Sequence, residues 1–294
     1  AFHLVDVCDE AALDRWMGYY QPDYVFHAAA YKHVPLLEEQ LREAARNNIL
    51  GTRNVGLAAD RHGVGTFVFI STDKAVDPAN VMGATKRTGE LLCDALDQQS
   101  ETAFLAVRFG NVLGSAGSVV ELFKQQIQGG GPVTVTHPEA VRYFMTIAEA
   151  CQLIMEAAVV GDGGEIFVLD MGEPVKIQAL AEQMIRLSGQ LPHRDIAIEH
   201  IGLRPGEKLS EDLFYASEAL KPTHHDKLFL TRLKPVELAQ VERTVAEMEQ
   251  AVIDFDEVRL AALIGRLVPG FPGGEELVAA EAAGGEMASS KVVP

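Results

Sequence analysis

The residues best suited to chemistry follow an apolar run at residues 66–70, which is typical of a buried β-strand. The run ends at the hydroxyl residues Ser71 and Thr72, and the acid–amine pair Asp73 and Lys74 comes next. A carboxyl group beside an amine can donate one proton and accept another, which is general acid–base chemistry. Considered alone, such a pair is more often an exposed ion pair beside a turn, so the elements around it must decide.

A predicted helix after the turn at Pro78 supplies two further candidates. Met82 and Lys86 are four positions apart, so their side chains share one face of that helix. Ligands of open α/β sheets bind just beyond the carboxyl ends of the strands, which is where this segment lies. We therefore expect Met82 and Lys86 to border the same cleft as Asp73 and Lys74, although a core methionine and a solvated lysine would also fit the pattern.

Strands and helices alternate along the first part of the chain, which predicts parallel βαβ units and an α/β fold. The apolar patterns place strands at residues 2–7, 24–28, 66–71 and 103–109. Helical periodicity predicts helices at residues 10–19, 41–62, 81–99 and 119–128. Further on, we expect strands at residues 133–136 and 165–169 and helices at residues 147–159 and 177–187.

A breaker of three glycines and a proline at residues 129–132 suggests a domain boundary. We predict a domain at residues 1–130 that holds the parallel sheet, and a smaller substrate lobe at residues 131–232. Residues 233–269 are charged and helical in period, which indicates a packing helix pair. Residues 270–294 are rich in Gly, Ala and Glu, and we expect them to be disordered.

The composition limits the classes of function that the chain can serve. Among 294 residues the formal net charge is −17, which argues against binding to nucleic acid or to anionic lipid. Cys8, Cys93 and Cys151 lie far apart and form no Cys-x-x-Cys pair, so we expect no disulfide framework, no metal site and a reducing compartment. No apolar stretch is long enough for a transmembrane helix and no secretory signal opens the chain, which predicts a cytoplasmic protein.

A Gly-x-Gly-x-x-Gly turn is absent from the first sixty residues. In dinucleotide-binding folds that turn follows the first strand, and its backbone amides cradle the pyrophosphate. We therefore predict a Rossmann-like parallel sheet that lacks its first βαβ unit.

Several motif blocks follow one another along the chain, namely His27-Ala28-Ala29-Ala30-Tyr31-Lys32-His33-Val34-Pro35, residues 48–52, residues 71–86, Arg108-Phe109-Gly110-Asn111-Val112-Leu113-Gly114-Ser115, Val135-Thr136-His137-Pro138, Arg142-Tyr143-Phe144-Met145-Thr146 and Arg204-Pro205-Gly206-Glu207-Lys208-Leu209. In this order they resemble the nucleotide-sugar 4,6-dehydratases of the extended short-chain dehydrogenase/reductase superfamily. Within that group, the chain is most similar to the polysaccharide-biosynthesis family that acts on UDP-N-acetylglucosamine and related sugars. The resemblance covers about residues 2 to 215.

The resemblance implies a dehydratase reaction with NAD as cofactor and a UDP-sugar as substrate. In this reaction hydride leaves sugar C4 for NAD, water is lost across C5 and C6, and the hydride returns to C6. The resemblance assigns Asp73 as the acid for the C6 hydroxyl, Lys74 as the base at C5, and Thr72 as a partner of the C4 oxygen. Lys86 is expected to hold the nicotinamide ribose, and Met82 stands where the superfamily usually has its catalytic tyrosine.

Two groups of residues are expected to bind these ligands. The expected NAD contacts, in addition to Lys86, are His27, Ala28, Ala29, Ser71 and Arg108. Tight packing would also explain the small residues of this group, and Arg108 could serve only as an ion-pair partner. Guanidinium forks match phosphate oxygens, and a carboxylate accepts hydrogen bonds from ribose hydroxyls. The expected substrate contacts are Lys32, Asn111, Arg142, Arg204 and Glu207.

Two departures from the family pattern affect these assignments. Methionine in place of the tyrosine resembles the long, membrane-anchored subgroup of the family, and it removes the usual phenolic base. The absent glycine-rich unit suggests that the chain is the C-terminal part of a longer protein. Such a protein could carry a membrane-anchored region before residue 1 and work at the cytoplasmic face of the inner membrane. We also expect a homo-oligomer.

Two other functions stay open at this point. A nucleotide-sugar 4-epimerase has the same fold and cofactor, but its reaction eliminates no water, so the pair Asp73 and Lys74 disfavours it. A chain without its glycine-rich unit could also be a non-catalytic nucleotide-binding fragment. The leading hypothesis is an NAD-dependent lyase, a 4,6-dehydratase of a UDP-N-acetylglucosamine-type sugar in surface polysaccharide or glycan biosynthesis.

Overall fold

The computed structural model describes residues 1–115, 117–233 and 236–272. Its strands in chain order are β1 Tyr24–His27, β2 Thr66–Ile70, β3 Ala103–Arg108, β4 Asn111–Val112, β5 Val133–Val135, β6 Val141–Arg142, β7 Phe144–Met145, β8 Glu165–Leu169, β9 Val175–Lys176, β10 Ile198–His200, β11 Lys221–Pro222 and β12 Leu228–Thr231. The largest sheet has six strands in the order β1-β2-β3-β8-β12-β11. The first four of these strands are parallel, and β12 and β11 pair antiparallel to their neighbours. The predicted α/β fold with a parallel-dominated, Rossmann-like sheet is confirmed.

Except at residues 34–38, where no helix was predicted, the helices fall close to the positions that the periodicity predicts. They are α1 Glu10–Tyr20, α2 Val34–Glu38, α3 Leu41–Ala45, α4 Gly51–Arg61, α5 Val81–Asp97, α6 Val119–Gln128, α7 Ile147–Val160, α8 Ile177–Leu187, α9 Leu238–Asp254 and α10 Glu257–Leu267. The single helix expected at residues 41–62 is divided by a π-helical turn at Arg46–Leu50. In the part of the chain that the structure describes, no helix combines the length and the apolarity needed to cross a membrane.

Helix α5 packs against the centre of one sheet face and is buried along almost its whole length. Gly89 makes this approach feasible, because a Cβ atom there would lie 2.4 Å from the Phe69 ring on β2. On its outer side α5 is covered by α9 and α10, whose Met248 and Leu260 belong to the same hydrophobic cluster as Leu92. The two C-terminal helices therefore hold α5 against the sheet.

Two further hydrophobic clusters complete the interior. Helix α7 covers the opposite sheet face, where Leu153 packs in one cluster with Leu105 of β3. A separate cluster outside the sheet joins α6, α8 and β5, with Phe123 and Ile185 at 0% exposure. The chain leaves the sheet after β3 to form α6 and β5 of this cluster and returns with β8. It then leaves again to add α8, and β11 and β12 complete the sheet. The sheet therefore contains strands from both sides of residues 129–132. The division into two domains at these residues stays a prediction.

The predictions for the two ends of the chain had different outcomes. The strand expected at residues 2–7 was wrong, because this segment is irregular and its Phe2 and Leu4 are fully exposed. A β-strand needs hydrogen bonds to a neighbouring strand, and no strand of the described residues pairs with this segment. The helix pair expected at residues 233–269 is present as α9 and α10. From residue 273 onward the expected disordered tail lies outside the described residues.

A buried ion-pair network joins the sheet to α5. Arg108 is 0% exposed and donates to Glu90 at 2.6 and 2.7 Å and to Glu218 at 2.8 Å. Glu90 also accepts from the Ser71 hydroxyl at 2.6 Å and from Arg87 at 3.0 Å. Burial alone would raise the pKa of Glu90, but Arg108 and Arg87 outweigh it and lower the pKa. The network thus contains two positive and two negative groups that compensate each other.

Replacing Glu90 by glutamine should destabilise the fold by about 3–5 kcal/mol, because Arg108 then stays buried with one of its two carboxylates removed. Urea unfolding at neutral pH measures the change in the free energy of unfolding. The matched control is Glu247→Gln, which removes one carboxylate from the half-exposed pair with Arg266 and should cost less than about 1 kcal/mol. Equal losses for the two variants would show that the buried network does not stabilise the fold.

Candidate active site

A cavity of about 500 Å³ opens at the carboxyl ends of β1, β2 and β3. Its walls come from the segments that follow these strands, from the first turns of α5, and from the segment at residues 204–211. This volume lies within the range of ligand pockets in proteins. The position is the one expected for a ligand site in an open α/β sheet.

The turn directly after β2 carries the acid–amine pair. The side chains of Lys74 and Thr72 both donate to Asp73 Oδ1, from Nζ at 2.9 Å and from Oγ1 at 2.8 Å. The backbone amide of Asp73 donates to the Phe109 carbonyl at 3.0 Å, which ties this turn to the end of β3. Thr72 and Lys74 line the cavity, whereas Asp73 lies behind them at 0% exposure. The pair is therefore a buried group at the cavity and not an exposed ion pair.

The second carboxylate oxygen of Asp73, Oδ2, is buried and has no hydrogen-bond partner among the described residues. It faces Gly110, since a Cβ atom at that position would lie 3.3 Å from it, and Gly110 itself lines the cavity. Buried polar atoms are nearly always hydrogen-bonded, so an atom without a partner requires an explanation. Because Gly110 lines the cavity, the orphaned oxygen makes the end of β2 a candidate functional position.

Met82 and Lys86 line the cavity together, as their spacing on α5 predicts. Lys86 Nζ donates to the Ile70 carbonyl at 2.8 Å and lies 4.5 Å from the centre of the Phe69 ring. Burial disfavours the charged form of this amine and lowers the pKa of Lys86 to about 8. Met82 is buried and presents an apolar side chain where a tyrosine hydroxyl would otherwise stand.

The start of α5 is fixed tightly against the turn that follows β2. Asn80 caps the helix by accepting from the Gly83 amide at 2.8 Å, and its side-chain nitrogen donates to the Gly206 carbonyl at 2.9 Å. A Cβ atom on Gly83 would lie 2.1 Å from the Lys74 carbonyl oxygen, so only glycine allows this approach. The sequence analysis did not single out Asn80, although an asparagine three residues before a helical glycine is a recognisable capping signal.

The segment after β1 supplies part of the cavity wall. Ala28 lines the cavity, whereas His27 and Ala29 are not among its lining residues. The Thr52 hydroxyl donates to the Asn48 carbonyl at 2.7 Å, so it accepts the proton of His27 Nε2 across 2.9 Å. Burial and the nearby Lys86 charge lower the pKa of His27 to about 3, which keeps the ring neutral. The His27 side chain therefore packs between β1 and the helix behind it instead of pointing into the cavity.

Arg108 is not brought to the cavity, which corrects its expected place among the NAD contacts. Its guanidinium is fully buried and engaged by Glu90 and Glu218. Side chains on a strand alternate between the two faces, and this one points toward α5 and away from the strand end. Ser71 does line the cavity, and its hydroxyl donates to the same Glu90.

All five residues expected to contact the substrate line the cavity: Lys32, Asn111, Arg142, Arg204 and Glu207. Arg142 donates to the carbonyl oxygens of Val141, Leu209 and Lys208 and to Glu207 at 3.2 Å, so its guanidinium is engaged in holding residues 207–209. Glu207 also accepts from the Thr136 hydroxyl at 2.9 Å. The Arg204 backbone amide donates to Glu207 Oε2 at 3.2 Å. Its side chain is exposed, and within the described residues its guanidinium has no carboxylate partner.

Glu211, which is 3% exposed and lines the cavity, was not predicted as a site residue from the sequence. Its Oε1 lies 3.9 Å from Lys74 Nζ, and burial raises the pKa of its carboxyl group. The only sequence signal was a second glutamate four positions after Glu207 in the same motif-rich segment. Among 42 acidic residues, that signal does not distinguish a buried carboxyl from a solvated one.

The chain is similar in sequence to several proteins over most of its length. Capsular polysaccharide biosynthesis protein CapD of Staphylococcus aureus is 49% identical over 264 residues, which cover 90% of this chain and 43% of CapD. Probable polysaccharide biosynthesis protein EpsC of Bacillus subtilis (strain 168) is 48% identical over 281 residues, which cover 95% of this chain and 46% of EpsC. The chain thus spans less than half the length of these two relatives. UDP-glucose 4-epimerase of Rickettsia canadensis is 38% identical over 75% of this chain and 63% of that protein.

Solved structures show the same fold. Pen from Bacillus thuringiensis superimposes with a TM-score of 0.72 and 38% identity over 81% of this chain and 73% of that chain. DesIV of Streptomyces venezuelae, a dTDP-glucose 4,6-dehydratase with NAD and TYD bound, gives a TM-score of 0.64 over 71% of this chain and 69% of that chain. At 21% identity, this likeness shows the fold alone. A model of the family described as polysaccharide biosynthesis protein matches residues 1–233. The chain therefore belongs to this family of polysaccharide biosynthesis proteins.

Proposed function

We propose that the chain carries the active site of an NAD-dependent nucleotide-sugar 4,6-dehydratase, a lyase acting on a UDP-N-acetylglucosamine-type sugar in polysaccharide biosynthesis. The observation that carries this proposal is the hydrogen bond of 2.9 Å from Lys74 Nζ to Asp73 Oδ1 beside the cavity. Elimination of water needs an acid for the leaving hydroxyl and a base for the neighbouring C–H bond, and this pair supplies both. Epimerisation at C4 eliminates no water and does not need the pair.

Thr72 compensates for the tyrosine that Met82 replaces. Its hydroxyl lines the cavity and donates to Asp73 Oδ1 at 2.8 Å. A hydroxyl in this position accepts a proton from the C4 hydroxyl of the sugar while passing its own proton to the Asp73 carboxylate. Asp73 then becomes the acid that the leaving C6 hydroxyl requires. This two-step relay also explains how a fully buried carboxyl group exchanges protons with a sugar that it does not border.

Lys74 acts on the neighbouring carbon. Its neutral amine takes the C5 proton as the C5–C6 double bond forms, and the C6–O bond breaks. The departing oxygen leaves as water with the proton that Asp73 releases through Thr72. At the end Lys74 returns its proton to C5, so the net change in the sugar is the loss of one water molecule.

The cavity wall offers groups that fit a dinucleotide at the ends of β1 and β2. The Lys86 amine and the Ser71 hydroxyl can bind ribose hydroxyls there, and the small Ala28 leaves room for a ring. NAD, when bound, accepts a hydride from sugar C4 and returns it to C6. The low pKa of Lys86 keeps part of its amine neutral near pH 8, so this residue can share protons with a ribose hydroxyl.

Basic and amide groups on the other side of the cavity suit a diphosphate. Arg204 is exposed and lines the wall, as do Lys32 and Asn111. Guanidinium and ammonium groups bind phosphate oxygens with charge-assisted hydrogen bonds, which offsets the repulsion of a protein with net charge −17. Arg142 and Glu207 act as supports, because they fix the backbone that presents Arg204.

The 38% identity to a UDP-glucose 4-epimerase supports a second candidate function, epimerisation at C4. Incubation with UDP-N-acetylglucosamine and NAD separates the two, with the products identified by NMR and mass spectrometry. A 4-keto-6-deoxy sugar, lighter by one water, supports the dehydratase. A C4 epimer of unchanged mass would replace the proposal with the epimerase, and calorimetric binding without turnover would indicate a nucleotide-binding module.

Replacing Lys74 by alanine should abolish the exchange of the C5 hydrogen with solvent deuterium, because the base that removes it is gone. The exchange is followed by NMR in deuterated buffer with the protein in the full length that its gene encodes. Lys227→Ala is the matched control, since Lys227 pairs with Glu149 on the surface, and exchange should continue at the normal rate. Continued exchange in the Lys74 variant would exclude this residue as the base.

Replacing Asp73 by asparagine should lower the rate of product formation by about 10²–10⁴-fold, which is the usual contribution of a general acid or base. Binding of the UDP-sugar, measured by calorimetry, should change little, because Asp73 does not line the cavity. Asp77→Asn removes an exposed carboxylate from the same turn and should leave the rate unchanged. An unaltered rate for the Asp73 variant would refute the relay through Thr72.

Replacing Lys86 by methionine should weaken NAD binding and yet stabilise the fold at pH 7. The pKa of Lys86 falls from 10.5 to about 8, so below pH 8 its buried charge costs about 3 kcal/mol. The lost hydrogen bond to Ile70 offsets about 1 kcal/mol of the gain. Between pH 8 and 10.5 the unfolded chain binds this proton and the folded chain does not, so the normal protein gains stability and the difference shrinks. Chemical unfolding at several pH values measures this trend, and a difference that is independent of pH would contradict it.

A further inference from the structure

Glu211 has the position of a third member of the acid–base group. It lies in the segment that Arg142 holds through the carbonyl oxygens of Lys208 and Leu209. Its carboxyl group is 3% exposed and lines the cavity, with Oε1 at 3.9 Å from Lys74 Nζ. Within the described residues its carboxylate has no hydrogen-bond partner, and its oxygens are open to the cavity instead of fully enclosed in the interior. The amine of Lys74 therefore lies between two buried carboxyl groups, those of Asp73 and Glu211.

The charges of this group do not balance, in contrast to the network around Arg108. When Asp73, Lys74 and Glu211 are all ionised, the group carries one excess negative charge in a buried position. Burying an uncompensated charge is costly, and burial accordingly raises the pKa of the Glu211 carboxyl group. In the proposed reaction one proton does arrive, from the C4 hydroxyl through Thr72 to Asp73.

We propose that Glu211 accepts the ammonium proton of Lys74 once Asp73 has been protonated, so that a protonated acid, Asp73, and a neutral base, Lys74, are present together. This inference rests on the proposed function. The N–H bond of Lys74 breaks and an O–H bond forms on Glu211, while the group remains neutral overall. Transfer requires the two atoms to approach by about 1 Å from their separation of 3.9 Å, to hydrogen-bond distance. The flexible four-carbon side chain of lysine permits this movement.

The pair of Asp73 and Lys74 cannot by itself provide a protonated acid and a neutral base at the same time, and Glu211 makes this possible. If Lys74 passed its proton to Asp73, the Asp73 carboxylate would already be protonated and could not accept the proton of the C4 hydroxyl. With Glu211 as the acceptor, Asp73 stays free for the proton from the sugar. After water leaves and C5 is reprotonated, Glu211 returns its proton to Lys74, and the starting state is restored. Glu211 is thus a positioning residue that acts on the sugar only through Lys74.

The surroundings of Glu211 fit this role. Burial raises the pKa of its carboxyl group, and the negative charge of Asp73 acts in the same direction. Three positive groups oppose the rise, namely Lys74, Arg142 and Lys208. Arg142 is itself paired with Glu207. Lys208 donates only to the neutral carbonyl oxygens of Val76 and Asp77, so its positive charge offsets part of the excess negative charge.

The test compares Glu211→Gln and Glu211→Asp with the control Asp212→Asn, which removes an exposed carboxylate next to Glu211. Glutamine cannot accept the proton, so Lys74 must lose it to solvent. We expect kcat for water loss to fall at least tenfold at pH 7 with KM changed less than twofold. The rate of the glutamine variant should then rise about tenfold per pH unit, whereas the normal protein and the aspartate and Asp212 variants should show a flat profile near neutrality.

Two outcomes would overturn the proposal. The first is a glutamine variant as fast as the normal protein. The second is a loss of rate that is equal at every pH, which indicates a purely structural role. Thermal unfolding of each variant verifies that it is folded, and the aspartate variant serves as the comparison if the glutamine variant is not.

An infrared titration of the protein without substrate separates this inference from the proposed function. The normal protein and Asp212→Asn should show a protonated carboxyl band that persists above the pH at which exposed glutamates ionise, and Glu211→Gln should lack it. Absence of this difference overturns the role of Glu211 even if the dehydratase reaction is observed. Its presence in a protein that forms no 4-keto-6-deoxy sugar refutes the proposed function and with it the transfer to Lys74 during turnover.

Discussion

The close approach of α5 to the turn after β2 is the constraint on which the rest of the site depends. Gly83 packs against the Lys74 carbonyl where no side chain would fit, and Gly89 does the same against the Phe69 ring. Because the helix cannot move away from the sheet, Lys86 is held beside the end of β2 and Met82 beside the acid–amine pair. Helices α9 and α10 secure this arrangement from behind by burying the outer face of α5.

The protein contains two groups of buried charged side chains, one around Arg108 and one around Lys74, and only the first has balanced charges. Around Arg108 every carboxylate faces a guanidinium, hydrogen bonds are short, and the network stabilises the junction of β3 and α5. Around Lys74 the charges are unequal, Asp73 keeps an unpartnered oxygen, and Glu211 has no hydrogen bond among the described residues. An interior without balanced charges is less stable but can take up and release protons, which is what acid–base chemistry requires.

The long periodic elements could be predicted from the sequence, because their signals are local. Helices α6 and α8 and strand β8 have the predicted bounds, and β1, β2, β3 and α5 differ by at most two residues at an end. Strands β4, β6, β7 and β9 to β12 were not predicted, and five of these seven have only two residues, too few to show an alternating pattern. Residues 2–7 had the pattern but found no partner, because pairing depends on residues distant in the chain.

The sequence by itself determined the α/β alternation, the motif order and the acid–amine pair at the end of a strand, since each of these depends on neighbouring residues. Of the fifteen site residues that it indicated, eleven line the cavity, Thr72, Lys74, Met82 and Lys86 among them. Only the tertiary structure decided that Arg108 turns away from the cavity while Glu211 turns toward it. Both outcomes depend on which side of a strand or loop is buried and on which charge lies opposite, and a one-dimensional pattern does not contain that information.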